Sequence, residues 1–166
     1  MNNIILIGMP ASGKSTVGVI LAKTLGYDFV DTDILIQNRE KARLDEIISD
    51  KGIEAFLKIE CDVCCDLNVS STVIATGGSV VYEEKAMNHL KLLGTIIYLK
   101  VDVDVLGARL SDMRRRGVAL KEGQTLEDLF QERRALYEKF ADVIIDENVM
   151  SLEETVAHVI IEGIGF

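Results

Sequence analysis

The sequence contains few residues that rigidify or cross-link a chain. Its 166 residues include one proline and three cysteines, and 48% of them are hydrophobic. This apolar content, with so little proline, excludes intrinsic disorder. A chain of this length buries roughly 70% of its unfolded surface, so we expect one domain over residues 1–166 that folds without disulfides or a structural metal.

Positive charge is also scarce. Lys and Arg number 18 against 27 Asp and Glu, a formal charge of -9, which disfavours sequence-independent binding to nucleic acid or to an anionic membrane. No stretch approaches the ~20 apolar residues of a membrane span, and no basic segment typical of a secretory signal precedes the first strand. We expect a cytoplasmic monomer without nucleic-acid or membrane partners.

The three cysteines, Cys61, Cys64 and Cys65, lie within five residues of one another. Neither a second cysteine pair nor a nearby histidine completes a zinc set. On a helix these positions share one face, and buried small apolar side chains are favoured over a redox or metal site.

Short apolar runs alternate with helical patterns along the whole chain, which predicts an α/β fold with a parallel sheet and helices on both faces. The predicted strands span residues 4–7, 29–30, 73–75, 95–99 and 143–145. The predicted later helices span residues 44–48, 55–67, 83–93, 103–112 and 126–140. The basic stretch over residues 114–123 has no apolar period and predicts a mobile loop.

The strongest motif runs from Gly8 to Thr16 and matches G-x-x-x-x-G-K-S/T between a predicted strand and a helix. The two motif glycines free the backbone, so that consecutive N–H groups face phosphate oxygens at a helix N-terminus. Lys14 adds a cation near the β- and γ-phosphates, and the Ser15 hydroxyl is a ligand for Mg²⁺. The alternative is a plain glycine turn. The expected ATP-binding residues are Gly8, Ala11, Ser12, Gly13, Lys14, Ser15 and Thr16.

Other sequence motifs and the length of the chain indicate which class of nucleotide-binding enzyme this is. The chain has no N-K-x-D tetrapeptide for guanine recognition. Its small size favours a kinase of small molecules.

With these motifs, the chain resembles the shikimate kinases over nearly its full length. The matching pieces are the phosphate-binding motif, Leu25 to Asp33, Phe56 with Glu60, Thr76-Gly77-Gly78, Ile97-Tyr98-Leu99, Arg109, Arg116 and Arg133 with Tyr137. The resemblance implies a P-loop NTPase fold like that of nucleoside-monophosphate kinases, a three-layer sandwich with a central five-stranded parallel sheet. It implies a mobile lid at about 112–124 and an acceptor-binding region at about 33–61. It also implies ATP and Mg²⁺ as cofactors and phosphorylation of a shikimate hydroxyl, a step of aromatic amino-acid biosynthesis.

Asp31 and Asp33 follow the second predicted strand, at the edge where open α/β sheets bind ligands. Because residues i and i+2 of a strand share a face, both carboxylates are expected to point into this crevice. By resemblance, Asp31 supports Mg²⁺, while Asp33 binds the acceptor hydroxyl and takes its proton. The alternative is that one of the two only caps the next helix.

Glycines after the third strand, Gly77 and Gly78, let a substrate approach the backbone closely, unless they form a plain turn. The resemblance assigns Arg133 to the substrate carboxylate, with Arg134 as the neighbouring candidate. It assigns Arg109 to stacking on adenine. A surface arginine that covers apolar neighbours is the alternative for Arg109.

The resemblance makes Lys14, Asp33 and Arg116 the catalytic residues. Arg116 also contacts ATP and stabilises charge on the transferring phosphoryl group. Arg114 and Arg115 are the alternatives for this part, and a solvated basic loop is a third reading.

The chain departs from the family pattern in the acceptor region. Leu57 stands where the family has a substrate-anchoring arginine, Ile53 where it has a glutamate, and Ser79 where it has a glycine. Lys58 lies about 100° away around a helix and does not replace the arginine. Two alternatives to shikimate phosphorylation follow: a kinase for another hydroxylated metabolite, or a non-catalytic ATP-binding module. Retention of Lys14 and Asp33 argues against the module.

Overall fold

Five parallel strands form one sheet in the computed structural model, which describes residues 3–109 and 118–165. The strands are β1 (Asn3–Ile7), β2 (Asp28–Asp31), β3 (Thr72–Ala75), β4 (Gly94–Lys100) and β5 (Val143–Asp146). Their order across the sheet is β2-β3-β1-β4-β5. Each predicted strand is present and extends beyond its apolar core by a residue or two.

Helices cover both faces of this sheet. They are α1 (Lys14–Leu25), α2 (Thr32–Glu40), α3 (Leu44–Lys51), α4 (Ile53–Cys65), α5 (Glu84–Leu93), α6 (Val103–Arg109), α7 (Leu126–Phe140) and α8 (Leu152–His158). A short 3₁₀ turn, Val80–Tyr82, precedes α5, and a wider helical turn, Val159–Ile164, follows α8.

Alternate residues of β1 enter two different cores, because successive side chains of a strand point to opposite faces. Ile5 and Ile7 pack in a cluster with residues of α4, α5 and α7. Ile4 and Leu6 pack on the other face with residues of α1 and α8. The result is the predicted three-layer sandwich.

A third, smaller apolar cluster lies away from the sheet. Ile36 of α2, Ile47 of α3 and Phe56 of α4 are buried in it, so these three helices form one packed unit. This unit covers most of the expected acceptor-binding region.

Helix α2 is the main element that the sequence did not predict. Its mixed polar sequence buries only Thr32 and Ile36, too few positions for a visible helical period. The Asp31 side chain caps it by accepting hydrogen bonds from the N–H groups of Asp33 and Ile34. Asp33 therefore lies in the first turn of a helix rather than at the end of a strand.

The predicted burial of the cysteines is confirmed for Cys61 and Cys64. Cys61 and Cys64 are buried in the large core cluster, and Cys65 is half-buried beside them. Among the described residues, no group of three or more His, Cys, Asp or Glu side chains is arranged to hold a metal ion.

The expected lid is only partly described. Arg114, Arg115 and Arg116 lie outside the described residues. Val118 and Ala119, in the middle of the expected mobile loop, are buried. No helix in the described part of the chain is long and apolar enough to cross a membrane.

Candidate active site

The phosphate-binding loop leaves β1 at Gly8 and enters α1 after Gly13. Gly8 has φ 149°, and a Cβ there would lie 2.7 Å from the backbone oxygen of Leu99. Gly13 has φ 92°. Both conformations favour glycine, which explains why the motif requires it at these two positions.

Lys14 is buried within this loop. Its Nζ donates hydrogen bonds of 2.8 Å to the backbone oxygens of Gly8 and Met9 and a longer one to Ser12 Oγ. Burial lowers the pKa of Lys14 to about 8, against the opposing influence of Asp33. The ammonium group is therefore still largely protonated at neutral pH and available for phosphate oxygens.

Ser15 and Asp31 bring two oxygen ligands together. Ser15 Oγ donates a 2.6 Å hydrogen bond to Asp31 Oδ2, while Asp31 Oδ1 accepts from the N–H of Asp33 at 2.9 Å. Asp31 thus caps α2 and also faces the phosphate loop. Mg²⁺ prefers hard oxygen ligands and one or two carboxylates, so this pair has the donor chemistry of a magnesium site.

Asp33 reaches the site from α2, so the strand-based argument for its placement is wrong even though its position in the crevice is right. Burial, followed by the charge of Asp31, raises its pKa to about 6, while Lys14 acts in the opposite sense. At neutral pH the carboxylate is ionised and can accept a proton.

A cavity of about 300 Å³ joins the phosphate loop to the acceptor region. The predicted site residues that line it are Ala11, Gly13, Lys14, Ser15, Thr16, Asp33, Gly77, Gly78 and Arg133. Three further predicted site residues support this wall from behind. Lys14 contacts Gly8 and Ser12, and Ser15 contacts Asp31.

The loop after β3 forms the opposite wall. The Gly77 N–H donates to Thr32 Oγ1 at 3.1 Å, and the Gly78 oxygen accepts from the Tyr137 hydroxyl. These bonds tie the loop to α2 on one side and to α7 on the other. The sequence did not indicate Thr32 as part of the site.

Arg133 of α7 is 1% exposed and forms part of the cavity wall. Its Nη2 donates to the Ala119 oxygen at 3.1 Å, and its Nε donates to the Tyr82 hydroxyl at 3.3 Å. Arg134 instead points outward and pairs with Glu138 on the helix surface. Of the two candidates, only Arg133 is placed at the cavity.

Arg109 ends α6 beside the phosphate loop. Its Nη1 donates to the Ala11 oxygen at 3.2 Å, and its side chain is exposed. This placement brings Arg109 to the nucleotide side, while stacking on adenine stays a prediction.

Glu60 and Ser79 also line the cavity, although the sequence did not place them among the site residues. Ser79 Oγ donates a 2.6 Å hydrogen bond to Glu60 Oε2. Only the resemblance pointed to Glu60. Ser79 and Glu60 are 19 positions apart in the sequence, so no local pattern indicates the hydrogen bond between them.

Leu57 is not among the described residues that line the cavity. It is half-buried and packs against the apolar cluster of α2, α3 and α4. At position 57, where the family has an arginine, this chain therefore has a leucine that contributes to packing.

Comparison with known proteins agrees with this geometry. A family model described as shikimate kinase matches residues 10–163. A shikimate kinase from Aquifex aeolicus is 35% identical over 161 residues, covering 90% of this chain and 95% of that protein. One from Shewanella denitrificans is 36% identical over 167 residues, covering 99% and 97%.

A solved structure has the same architecture. The shikimate kinase from Acinetobacter baumannii, in complex with shikimate, superposes with a TM-score of 0.91 at 29% identity and covers 99% of this chain and 93% of that one. The family match covers residues 10–163, which include Asp33, Arg133 and the phosphate loop from Pro10 onward. The chain therefore belongs to the shikimate kinase family.

Proposed function

We propose that this protein transfers the γ-phosphoryl group of ATP to a hydroxyl group of shikimate. The observation that carries the proposal is a cavity whose wall contains Lys14, Asp33 and Arg133 together. A triphosphate, a hydroxyl and a carboxylate each have a matching group there.

The phosphate loop and Lys14 supply the donor side. Backbone N–H groups at the start of α1 and the Lys14 ammonium bind negative phosphate oxygens. Ser15 and Asp31 would hold Mg²⁺, which would supply neutralisation of the phosphate charge. Asp33 orients the acceptor hydroxyl and takes its proton as the bond from that oxygen to the γ-phosphorus forms and the bond from the γ-phosphorus to the departing ADP breaks.

Arg133 supplies the acceptor side. Its guanidinium group is buried and forms no salt bridge with a described carboxylate. A buried cation is costly unless it is paired. The shikimate carboxylate provides that pair, and Tyr82 and Ala119 hold the guanidinium group in place.

The remaining roles follow from the family resemblance. We propose that Arg116 stabilises charge on the transferring phosphoryl group and that Arg109 contacts the nucleotide. We also propose that the enzyme acts as a cytoplasmic monomer, without a nucleic-acid or membrane partner.

A second candidate function is phosphorylation of another hydroxylated metabolite. Leu57 favours it, because the described cavity wall has Arg133 but no second arginine on the acceptor side. A panel of polyols, sugars and nucleosides assayed beside shikimate separates the two candidates.

The test is ADP release, coupled to a detection enzyme, with wild type, Arg133→Met and Arg134→Met. We expect wild type to turn over shikimate with saturation. Arg133→Met is expected to raise KM for shikimate about tenfold to a hundredfold, the loss typical of a charged hydrogen bond. Arg134→Met is the matched control and is expected to leave KM unchanged.

Two outcomes contradict the proposal. Wild type without shikimate-dependent ADP release overturns the activity. Equal KM values for Arg133→Met and Arg134→Met overturn the carboxylate role of Arg133. Turnover of another member of the panel in place of shikimate supports the second candidate.

A further inference from the structure

Ala11 of the phosphate loop has a backbone conformation that alanine rarely adopts. Its φ is 64°, in the left-handed region, where the Cβ of a residue other than glycine approaches the neighbouring backbone too closely. Lys41 and Ser71 are the other described non-glycine residues with positive φ, and neither lines the cavity. Strained backbone persists only where surrounding contacts hold it, and it occurs most often at binding sites.

The turn that contains Ala11 explains where the strain arises. The Ser12 N–H donates to the Met9 oxygen at 3.1 Å, which closes a β-turn with Pro10 and Ala11 as its central residues. The ring of Pro10 fixes a negative φ at the first central position, and Ala11 has a positive φ at the second. This combination is typical of a type II turn, which favours glycine at the second position. Ala11 therefore occupies a position suited to glycine.

Two contacts hold Ala11 in this conformation, one on each side of it in the chain. Before it, the ring of Pro10 packs on the loop after β3, since a Cβ built on Gly78 would lie 2.7 Å from Pro10 Cδ. After it, Arg109 Nη1 donates to the Ala11 oxygen at 3.2 Å. A change of φ at Ala11 requires rotation of the peptide group on one of these sides, so both contacts oppose relaxation of the strain.

The contact from Arg109 comes from an exposed side chain at the end of α6. The peptide group that it binds also carries the Ser12 N–H that closes the turn. Without Arg109, this peptide group loses one of its two described hydrogen bonds, and its rotation returns Ala11 to a negative φ. That rotation moves the N–H groups of Ser12 and Gly13 out of the inward orientation that binds phosphate oxygens.

We propose that Arg109 is a positioning residue for the phosphate loop, because its hydrogen bond to the Ala11 oxygen keeps the strained turn in the form that binds a triphosphate. This role acts through the loop backbone and is separate from any contact with a nucleotide base. Ala11→Gly removes the strain and with it the need for this hydrogen bond. The inference rests on the proposed binding of ATP at this loop.

The test measures binding of inorganic tripolyphosphate by titration calorimetry at one fixed Mg²⁺ concentration. This ligand has no base, so stacking on Arg109 does not contribute to its affinity. Arg109→Met is expected to weaken binding about tenfold, the loss typical of a hydrogen bond from a charged group. Ala11→Gly is expected to strengthen binding about fivefold, since glycine adopts a positive φ without the Cβ penalty. In the double variant, the loss caused by Arg109→Met is expected to shrink to about twofold.

The double variant separates positioning from direct attraction of phosphate by the Arg109 charge. Direct attraction predicts the same loss with and without Ala11→Gly, because the two changes are then independent. Equal losses therefore overturn the inference, as does unchanged binding in Arg109→Met. Arg134→Met, which removes a surface arginine of α7, is the matched control and is expected to keep the wild-type affinity.

Thermal unfolding measures the strain at Ala11 without any ligand. Ala135→Gly, at an exposed position inside α7, is expected to lower the unfolding midpoint, as glycine does in helices. Ala11→Gly is expected not to lower it, and a decrease equal to that of Ala135→Gly overturns the inference. Wild type that does not bind tripolyphosphate also overturns it. Because the calorimetry needs no acceptor, wild type without turnover of shikimate overturns the proposed activity alone.

Discussion

A 2.6 Å hydrogen bond joins Ser15 Oγ to Asp31 Oδ2. Ser15 comes after β1 and Asp31 ends β2, and β3 lies between these two strands in the sheet. Ser15 lies in the first turn of α1, and Asp31 lies at the junction of β2 and α2. The bond brings a hydroxyl and a carboxylate from two elements to one place beside the phosphate loop.

This pair leads to a prediction about metal dependence. Ser15→Ala and Asp31→Asn are each expected to raise the Mg²⁺ concentration for half-maximal activity by about tenfold, because each removes or weakens an oxygen ligand. Asp31→Asn keeps a side chain that caps helices well, so its thermal unfolding is expected to stay near that of wild type. The measurement is a Mg²⁺ titration at fixed ATP, with the exposed Ser70→Ala as control. An unchanged Mg²⁺ requirement in both variants contradicts the site.

The raised pKa of Asp33 predicts the acid limb of the pH profile. The ionised carboxylate is the form that accepts a proton, so kcat/KM is expected to fall as pH falls through about 6. Asp33→Asn is expected to lower kcat by about a hundredfold or more and to remove this limb. Asp28→Asn, an exposed change in β2, serves as control. Retention of the limb in Asp33→Asn would assign it to another group.

Glu60 predicts how stability changes with pH. Its folded-state pKa of about 8 lies above the usual 4.5, so the folded protein binds this proton more tightly than the unfolded chain. The contribution of Glu60 to the free energy of unfolding is therefore complete below about pH 4.5 and is lost as pH rises toward 8, by up to about 1.4 kcal/mol per pH unit. Glu60→Gln lacks this contribution.

Urea unfolding of wild type and Glu60→Gln at several pH values measures the difference. Asp33, Glu83 and Arg133 face Glu60 and remain in both proteins, so subtraction isolates the glutamate. Parallel curves for the two proteins would mean that the pKa of Glu60 is not raised by folding.

Leu57 leads to a prediction of improved binding. Leu57→Arg places a long cationic side chain one turn before Glu60, which lines the cavity, and Ile53→Glu adds a carboxylate that can hold it. The double variant is expected to lower KM for shikimate about tenfold, within the range of one charged hydrogen bond. Leu57→Met, which changes shape but not charge, is expected to leave KM unchanged. An unchanged or higher KM in the double variant contradicts the interpretation of Leu57 as a lost anchor.

Much of this fold could be predicted from the chain because its signals are local. The motif from Gly8 to Thr16 requires backbone conformations that the structure contains at Gly8 and Gly13. Helix α7 spans the predicted residues 126–140, because its apolar period is long and Thr125 forms a capping box with Asp128. Strands that are buried on both faces appear in the sequence as continuous apolar runs.

The parts that escaped prediction depend on contacts between distant residues. Helix α2 buries few side chains, so its packing against α3 and α4 stabilises it more than any visible pattern does. A buried glutamate contradicts the usual distribution of charged residues, and the Ser79 hydrogen bond to Glu60 appears only after folding. The choice of Arg133 over Arg134 likewise depends on the rotation of α7 against the sheet.

The strand order has a consequence for the cost of bringing two substrates together. Three segments of the site follow three strands that are adjacent in the sheet. They are the loop after β1, the loop after β3 and the start of α2 after β2. The phosphate loop and the Asp33 carboxylate are thus spaced by the backbone hydrogen bonds of the sheet. Aligning the groups that bind donor and acceptor costs entropy, and this cost arises during folding, before either molecule binds. The chemical step therefore starts from a geometry that is already set.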